Sequence, residues 1–184
     1  MTFQRILIIF VVMNGEKINV NGEKINLSGD KRIYNFTGVY FHNIDEKGRV
    51  AVPLSFRLAL PQESKDRLFI SPGLSKTIFC YPTPEWERFR DRILPFFSYY
   101  EESERKILWW FSLNTFETAI DNQGRILLSE DLRRWANLSK VAVIFGAVYY
   151  FVICNEEKYK EIKMYGESNY ENFIKKLYEN GKIR

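Results

Sequence analysis

Short stretches of alternating apolar and polar residues recur along the chain, and the same series of stretches occurs twice. Residues 45–57 align with residues 121–133 at an offset of 76, with Asp, Gly, Arg, three apolar positions and a final Arg in common. Beyond these segments the offset becomes 73, so that Leu68 corresponds to Val141. Two copies of a unit of about 50 residues predict a fold that is repeated within one chain.

Each copy predicts a strand, a tight turn and a second strand. The first strands span residues 39–44 and 115–120, and the second strands carry apolar residues at alternate positions, as in a strand with one buried face. Between them lies the sequence Asp-x-x-Gly-Arg. Its glycine supplies the positive φ that a tight hairpin needs, and its aspartate can accept hydrogen bonds from the turn amides. We therefore expect a turn-fixing role for four residues, which are Asp45, Gly48, Asp121 and Gly124.

The rest of each copy predicts a short helix, a hairpin and a closing helix. Pro53 suits the first turn of the short helix in the first copy, and Ser129 can cap its counterpart in the second. Thr-Pro-Glu at residues 83–85 is a start signal for the closing helix. A further helix is predicted at residues 101–112, between the copies, with four buried side chains: Ile107, Leu108, Trp110 and Phe111. Neither copy can bury a large core alone, so we expect the copies to complete each other or a neighbouring subunit.

The composition is that of a globular protein. Of 184 residues, 46% are hydrophobic, 16% aromatic and 27% charged, which excludes a wholly disordered chain. Two cysteines are too few for a disulfide framework and fit a reduced cytosol. The apolar run at residues 6–13 is too short to cross a bilayer, and no cleavage pattern of a signal peptide follows it. We therefore expect a cytoplasmic protein without a membrane anchor.

Net charge alone does not indicate a nucleic-acid-binding protein. The chain has 27 basic and 23 acidic residues, a formal net charge of +4. Residues 1–35 contribute half of this excess, so the remainder of the chain is nearly balanced. Any argument for nucleic acid must come from a local arrangement of charges or from several copies acting together.

The sequence lacks the common catalytic and metal-binding motifs. It has no Walker-type phosphate loop, no His-Glu-x-x-His, no Gly-x-Ser-x-Gly and no Cys-x-x-Cys. The one histidine, His42, lies in the first predicted strand, where the second copy has Thr118, and we interpret it as structural. Cys80 and Cys154 are interpreted as small buried hydrophobic residues. Residues 121–124 lack the alternating acidic ligands of a calcium loop. From the missing motifs taken together, we expect no enzymatic activity, no bound metal and no cofactor.

Arg49 and Arg125 occupy the same position in the two copies, directly after the turn glycine. One interpretation is a solvated hairpin residue, or a salt bridge to the aspartate of the same turn. The other is a pair of guanidinium groups on rigid, repeated loops, which suits phosphates or the guanine edge in the major groove. The spacing does not decide between them. Lys47 adds a positive charge in the first copy only, and Arg57 and Arg133, on the short helices, are expected to face water.

Together these motifs resemble the MraZ family of bacterial transcriptional regulators. The resemblance rests on residues 38–57, on Tyr-Pro-x-Pro-Glu-Trp at residues 81–86 and on the second Asp-x-x-Gly-Arg at residues 121–125, and it covers about residues 36–165. It implies a mainly β fold with short helices. In that fold two tandem AbrB-like swapped-hairpin units, of the double-split β-barrel type, form a pseudo-dimeric subunit. Several such subunits are expected to assemble into a ring.

The resemblance also implies a function. Members of the family bind short direct repeats in the promoter of their own division and cell-wall gene cluster and lower its transcription. The expected partners are double-stranded promoter DNA, in the nucleoid, and further copies of the chain. The family's signature maps onto Asp45 and Arg49, with Lys47 as its basic residue, and again onto the second turn. It therefore favours DNA contact by three residues, which are Lys47, Arg49 and Arg125.

Two other functions fit the sequence less well. An AbrB-like antitoxin, which binds DNA and acts with a protein partner, normally has one such unit, whereas this chain has two. An enzyme would require a pocket with perturbed titratable groups, and the single histidine disfavours it.

The expected organisation has four parts: a poorly ordered N-terminal extension at residues 1–35, a first unit with linking helices at 36–112, a second unit at 113–165 and a C-terminal helical tail at 166–184. The extension repeats Asn-Gly-Glu-Lys-Ile-Asn at residues 14–19 and 21–26. A seven-residue repeat corresponds to about 21 nucleotides, roughly two turns of B-DNA. Since operators of the family lie just upstream of the usual start codon, we hypothesise that the extension is translated operator.

Overall fold

The computed structural model describes residues 34–180, which form eight strands and five α-helices. The first copy contains β1 (Val39–Asn43), β2 (Arg49–Ala51), α1 (Leu54–Ala59), β3 (Arg67–Pro72), β4 (Ile78–Tyr81) and α2 (Thr83–Ile93). Helix α3 (Glu102–Leu113) links it to the second copy, which contains β5 (Phe116–Ala119), β6 (Arg125–Leu127), α4 (Glu130–Trp135), β7 (Val141–Gly146), β8 (Phe151–Cys154) and α5 (Glu156–Glu179). The seven-residue repeats of the N-terminal extension lie outside the described residues.

One open antiparallel sheet combines strands of both copies. Its order is β1-β7-β8-β4-β3-β5, and every neighbouring pair is antiparallel. The first strand of each copy pairs with the other copy: β1 with β7, and β5 with β3. At the centre, β4 and β8 join the two halves. This exchange confirms the predicted fold class, a mainly β chain with short helices in which two tandem AbrB-like swapped-hairpin units form one pseudo-dimeric subunit.

A second, two-stranded ribbon of β2 and β6 lies on a local two-fold axis. Val50 is opposite Ile126, and both side chains are fully buried. Arg49 is opposite Leu127, and Ala51 is opposite Arg125. Equivalent residues of the two copies are 76 positions apart here, so Arg49 corresponds to Arg125 and Ala51 to Leu127. In this register each strand therefore forms the same pairs with the other. The ribbon therefore joins the two copies symmetrically at the centre of the core.

One hydrophobic core contains buried side chains of the sheet, the ribbon and the short helices α1 and α4. Phe36, which precedes β1, is fully buried, and its ring lies 5.4 Å from that of Phe56 in α1 and 5.7 Å from that of Phe151 in β8. Its backbone exchanges two hydrogen bonds with Val148, of 2.8 and 3.0 Å. The segment before β1 thus connects elements of both copies.

The correspondence between β3 and β7 differs by one residue from the sequence alignment. His42 of β1 pairs with Ala142, and its counterpart Thr118 pairs with Leu68. Leu68 therefore corresponds to Ala142 and not to Val141. The three residues missing from the second copy are divided between two loops, two before β7 and one in the turn from β7 to β8. A sequence alignment cannot determine how the three missing residues are divided, because either loop could be shorter by all three.

Helix α3 buries less apolar surface than the sequence pattern predicts. Leu108 is buried, and Phe111 is half-buried with its ring 6.0 Å from that of Phe89 in α2. Ile107 and Trp110, which were predicted to be buried, are 45% and 42% exposed. The helix packs against α2 along one face, so that only residues three or four positions apart are covered.

The last helix, α5, continues from the second copy into the C-terminal tail. Its first turns belong to the body formed by residues 34–162, where the ring of Tyr159 lies 5.6 Å from that of Phe41. Residues 163–180 belong to a second unit and expose most of their side chains. The boundary predicted between residues 165 and 166 falls within this helix. No helix in the described part of the chain has the length and apolarity that crossing a bilayer requires.

Phe36→Ala is expected to destabilise the protein strongly. The substitution leaves a cavity between aromatic rings of the two copies, and truncation of a buried Phe typically costs about 3–5 kcal/mol. Urea unfolding of the variant and the parent protein measures the difference in the free energy of unfolding. Phe41→Ala, at a side chain that is 54% exposed, is the control and should cost much less. Equal losses for both variants would contradict the role of Phe36 in the core.

Candidate nucleic-acid interface

The turn between β1 and β2 is held by one aspartate. The backbone amide of Gly48 donates to the carbonyl of Asp45 at 2.9 Å, and the amide of Asp45 donates to the carbonyl of Arg49 at 2.9 Å. The carboxylate oxygen Oδ1 of Asp45 accepts from the amides of Lys47, at 3.0 Å, and of Arg49, at 2.9 Å. Gly48 has a φ of 80°, a left-handed conformation that costs other residues about 1–2 kcal/mol. The pattern Asp-x-x-Gly-Arg thus encodes one compact turn.

The turn between β5 and β6 repeats this geometry. Oδ1 of Asp121 accepts from the amides of Gln123 and Arg125, both at 2.9 Å. The amide of Gly124 donates to the carbonyl of Asp121 at 2.7 Å, and the φ of Gly124 is 75°. Gln123 replaces the exposed Lys47 of the first turn. The two turns therefore share a backbone conformation but differ in the charge of their tips.

The two turns are hydrogen-bonded to the opposite copies of the chain. The amide of Val52 donates to the carbonyl of Gly124 at 2.8 Å, and the amide of Leu128 donates to the carbonyl of Gly48 at 3.0 Å. Each bond joins the end of a second strand in one copy to the turn of the other. The pairing of β2 with β6 therefore continues beyond the ribbon and fixes the turns relative to each other.

Each turn also contains a salt bridge between its aspartate and its arginine. Nε of Arg49 donates to Oδ2 of Asp45 at 2.8 Å. Nε and Nη2 of Arg125 donate to Oδ2 of Asp121 at 2.9 and 2.7 Å. The salt bridge within the turn, one of the two interpretations left open by the sequence, is thus present. It leaves the other interpretation possible, since a guanidinium carries five N–H donors.

Longer contacts connect the two salt bridges across the local axis. Nη1 of Arg125 lies 3.5 Å from Oδ2 of Asp45, and Nη1 of Arg49 lies 3.6 Å from Oδ2 of Asp121. The exposed fractions of the four side chains range from 24% to 32%. We call these four residues the Asp–Arg network. Its two cations and two anions give a formal net charge of zero.

The arginines and the turn amides keep both aspartates charged. The pKa of Asp121 is lowered to about 2, chiefly by the hydrogen bond from the Arg125 side chain. The pKa of Asp45 is also lowered, and the largest cause is the hydrogen bond from the backbone amide of Arg49. Both aspartates are therefore ionised at neutral pH.

Arg57 and Arg133 do not simply face water, contrary to the expectation from the sequence. Both side chains are half-buried, and each lies over the turn glycine of the other copy. A Cβ atom placed on Gly124 would meet the guanidinium of Arg57 at 2.6 Å, and one placed on Gly48 would meet Nε of Arg133 at 3.0 Å. Nε of Arg57 donates to the carbonyl of Val52 at 3.2 Å. The signal in the sequence was that both copies of the repeat end in the same arginine. This arginine contacts the turn of the other copy because the strands of the two copies are exchanged. That exchange cannot be predicted from the sequence of one copy alone.

The remaining candidate residues are not part of the two turns. His42 is half-buried in β1, and burial lowers its pKa. Cys80 and Cys154 are buried free thiols whose pKa values are raised by burial. Among residues 34–180, no three His, Cys, Asp or Glu side chains lie together in a way that could hold a metal ion. The two turns are the strongest candidate site in this part of the chain.

Comparison with known proteins relates both copies to one family. Residues 35–108 and residues 111–180 each match the family described as "MraZ protein, putative antitoxin-like". A protein named "Transcriptional regulator MraZ" from Desulforamulus reducens is 33% identical over 144 residues, which cover 77% of this chain and 96% of that protein. A protein of the same name from Pelotomaculum thermopropionicum is 34% identical over 144 residues, covering 77% of this chain and 94% of that protein. The two matched spans contain the two Asp-x-x-Gly-Arg turns.

Asp121→Asn should flatten the loss of stability at low pH. The pKa of Asp121 in the folded protein, about 2, lies below that of an aspartate in an unfolded chain, about 3.9. The stabilising contribution of the carboxylate is therefore complete above pH ~4 and is lost as the pH falls from about 4 toward 2. Thermal unfolding at a series of pH values measures Tm for the variant and the parent protein.

Arg125→Gln should flatten the same pH dependence, because it removes the hydrogen bond that most lowers the pKa of Asp121. Arg134→Gln is the control, since that side chain is 69% exposed on α4, and it should leave the slope unchanged. Parallel curves for all four proteins between pH 2 and 4 would contradict the prediction.

Proposed function

Because this chain belongs to the MraZ family, we propose that it regulates transcription by binding double-stranded DNA, with sequence specificity, through its two turns. One observation carries the proposal: Arg49 and Arg125 occupy equivalent positions in two rigid turns that are joined across a local two-fold axis. The relatives' name, transcriptional regulator, supports it. The proposed function is not enzymatic.

The aspartates prepare the arginines for binding. A mobile arginine side chain carries about 2 kcal/mol of rotamer entropy, part of which is lost when it binds. Here Nε of Arg49 is already held by Asp45, and 30% of the Arg49 side chain remains exposed. The remaining N–H groups of such a fixed fork can donate to O6 and N7 of guanine. The same salt bridge that fixes the turn thus supports base recognition.

Lys47 extends the proposed interface to the DNA backbone. It is exposed at the tip of the first turn, two residues before Arg49. A lysine acts on phosphate as a point charge and carries no sequence information itself. Lys47 is therefore proposed to bind phosphate, while Arg49 and Arg125 contact bases.

Several copies are proposed to act together in a ring on direct repeats. One chain has a net charge of +4, so a single subunit neutralises few phosphates. Subunits bound to the same duplex raise one another's effective concentration, and weak contacts then combine. Identical subunits in a regular arrangement require DNA sites that recur at near-integral helical turns. Direct repeats in a promoter meet this requirement.

Exposed apolar side chains support the association of copies. Trp109 and Leu113 of α3 are 57% and 83% exposed, and Leu54 and Leu58 of α1 are 59% and 71% exposed. Exposed apolar side chains that form contiguous patches mark surfaces that are covered in an assembly. These two helices are therefore candidates for contacts between subunits.

The proposed targets follow from the family. We infer that the chain represses the division and cell-wall gene cluster that contains its own gene, in the cytoplasm at the nucleoid. A DNA-binding antitoxin that acts with a protein partner is the second candidate, favoured by the words "antitoxin-like" in the family's description. Two complete units in one chain favour the regulator.

Arg49→Ala should weaken specific DNA binding by about 1–3 kcal/mol for each base contact that is lost. The loss should be amplified when several subunits bind one duplex, because each carries the substitution. Fluorescence anisotropy with a promoter duplex measures the affinity, and circular dichroism and gel filtration verify folding and assembly. Arg67→Ala, at a side chain that is 48% exposed in β3, is the control. Unchanged affinity of a folded, assembled Arg49→Ala protein would exclude Arg49 as a base contact.

The DNA stretch that encodes residues 14–34 should itself be an operator. A duplex with this native sequence is expected to bind more tightly than a scrambled duplex of the same composition, with a steep dependence on salt. The promoter region upstream of the gene serves as a third duplex. Tight binding to the upstream duplex alone would contradict the translated-operator hypothesis. Equal, weak binding to all three would contradict the DNA-binding function.

A further inference from the structure

We propose that Arg57 and Arg133 bind phosphates of the DNA backbone beside the two turns. The inference rests on the proposed DNA-binding function and divides it between two sets of arginines. Arg49 and Arg125 contact bases, whereas the two arginines of the short helices bind the phosphates that position the duplex. The sequence pattern assigned no role to the second pair.

The Asp–Arg network alone cannot supply the attraction that a phosphate backbone requires. Each of its arginines lies within 3.6 Å of both aspartates, with N–O distances from 2.7 to 3.6 Å. Its charges therefore cancel, and it releases few counterions from DNA. Affinity for duplex DNA depends strongly on such release. The positive charge must come from other side chains close to the turns.

Arg57 and Arg133 bring uncompensated charge to the turns. Within residues 34–180, neither side chain forms an ion pair with a carboxylate. Cζ of Arg57 lies 2.6 Å from the position of a Cβ atom on Gly124, the residue before Arg125. Cζ of Arg133 lies 3.1 Å from the corresponding position on Gly48. Each turn thus receives one guanidinium from the helix of the other copy.

These guanidinium groups keep donors available for an anion. In Arg57, Nε donates to the carbonyl of Val52 at 3.2 Å, and in Arg133 the buried Nε finds no partner among residues 34–180. The terminal nitrogens of both form no hydrogen bond within the described part of the chain. A guanidinium fork matches two phosphate oxygens, to which it can donate bidentately.

The packing of the two arginines favours specific positioning over loose attraction. Both side chains are half-buried, with the guanidinium pressed against a turn whose conformation is fixed. Much of the entropy that a free surface arginine loses on binding is therefore already lost in the folded protein. Because the turn and the helix arginine are in contact, a phosphate bound by Arg57 fixes the duplex relative to Arg125.

The test is the salt dependence of DNA binding by the double variant Arg57→Gln, Arg133→Gln in the full chain. Fluorescence anisotropy at several salt concentrations measures the slope of log K against log salt for a promoter duplex and for a scrambled duplex. The magnitude of the slope should fall by about 0.9 for each phosphate contact that is lost. Affinity should fall by the same factor on both duplexes, because phosphate contacts carry no sequence information.

Two further variants separate charge from packing. Arg57→Lys with Arg133→Lys keeps both charges and should retain most of the slope. Arg134→Gln is the control: it removes one positive charge from the next position of α4, where Arg134 is 69% exposed and bound to Glu130 at 2.6 Å. Its slope should equal that of the parent protein. Arg57→Met preserves the aliphatic stem over Gly124 and provides the same test at one site if the double variant fails to fold.

An unchanged salt slope in a folded, assembled Gln or Met variant would overturn the inference. A loss confined to the promoter duplex with an unchanged slope would also overturn it, because that result indicates positioning of the turns without phosphate binding. Failure of the parent protein to bind either duplex would instead refute the proposed function itself.

Discussion

The structure depends on the reciprocal hydrogen bonds that join each second strand to the turn of the other copy. Strands β2 and β6 contain three residues each, and so short a ribbon is only marginally stable alone. The bonds from Val52 to Gly124 and from Leu128 to Gly48 extend the ribbon at both ends. Burial of Val50 and Ile126 between them removes the ribbon from water. The turns therefore cannot shift without disturbing the centre of the core.

Charge cancellation in the Asp–Arg network limits what the turns can do. An arginine bound to carboxylates attracts distant phosphate weakly, but its planar fork is held in one orientation, which suits selective contact at short range. Non-specific affinity then depends on side chains outside the network. This separation favours specificity, because phosphate contacts fix the position of the duplex while base contacts distinguish sequences. A protein with a net charge of +4 that bound DNA only through a neutral network would bind weakly, which is why Arg57 and Arg133 are proposed to bind phosphates.

Most local structure could be predicted from the sequence, because it depends on local chemistry. The first strands, predicted at residues 39–44 and 115–120, are observed at Val39–Asn43 and Phe116–Ala119. Ser129 caps α4 as predicted, accepting from the amide of Leu132 at 3.3 Å. The one-residue difference in the correspondence between β3 and β7 could not be predicted, because the strand register is set by pairing across copies. The same holds for the contacts that join the turns across the axis and for the placement of Arg57 and Arg133, since residues 67 to 85 positions apart meet there only after the strands have exchanged.

The departures from two-fold symmetry bear on the kind of DNA site that such a subunit can recognise. A perfectly symmetric pair of turns would bind a site equally well in either orientation, as symmetric dimers do on palindromic operators. Here the tips differ, because Lys47 in the first copy is replaced by Gln123 in the second. A subunit with unequal tips favours one direction along the duplex. Under the proposed function, identical subunits that share one direction would match direct rather than inverted repeats. Head-to-tail contacts between identical subunits generate a ring whenever the rotation closes, which agrees with the proposed assembly.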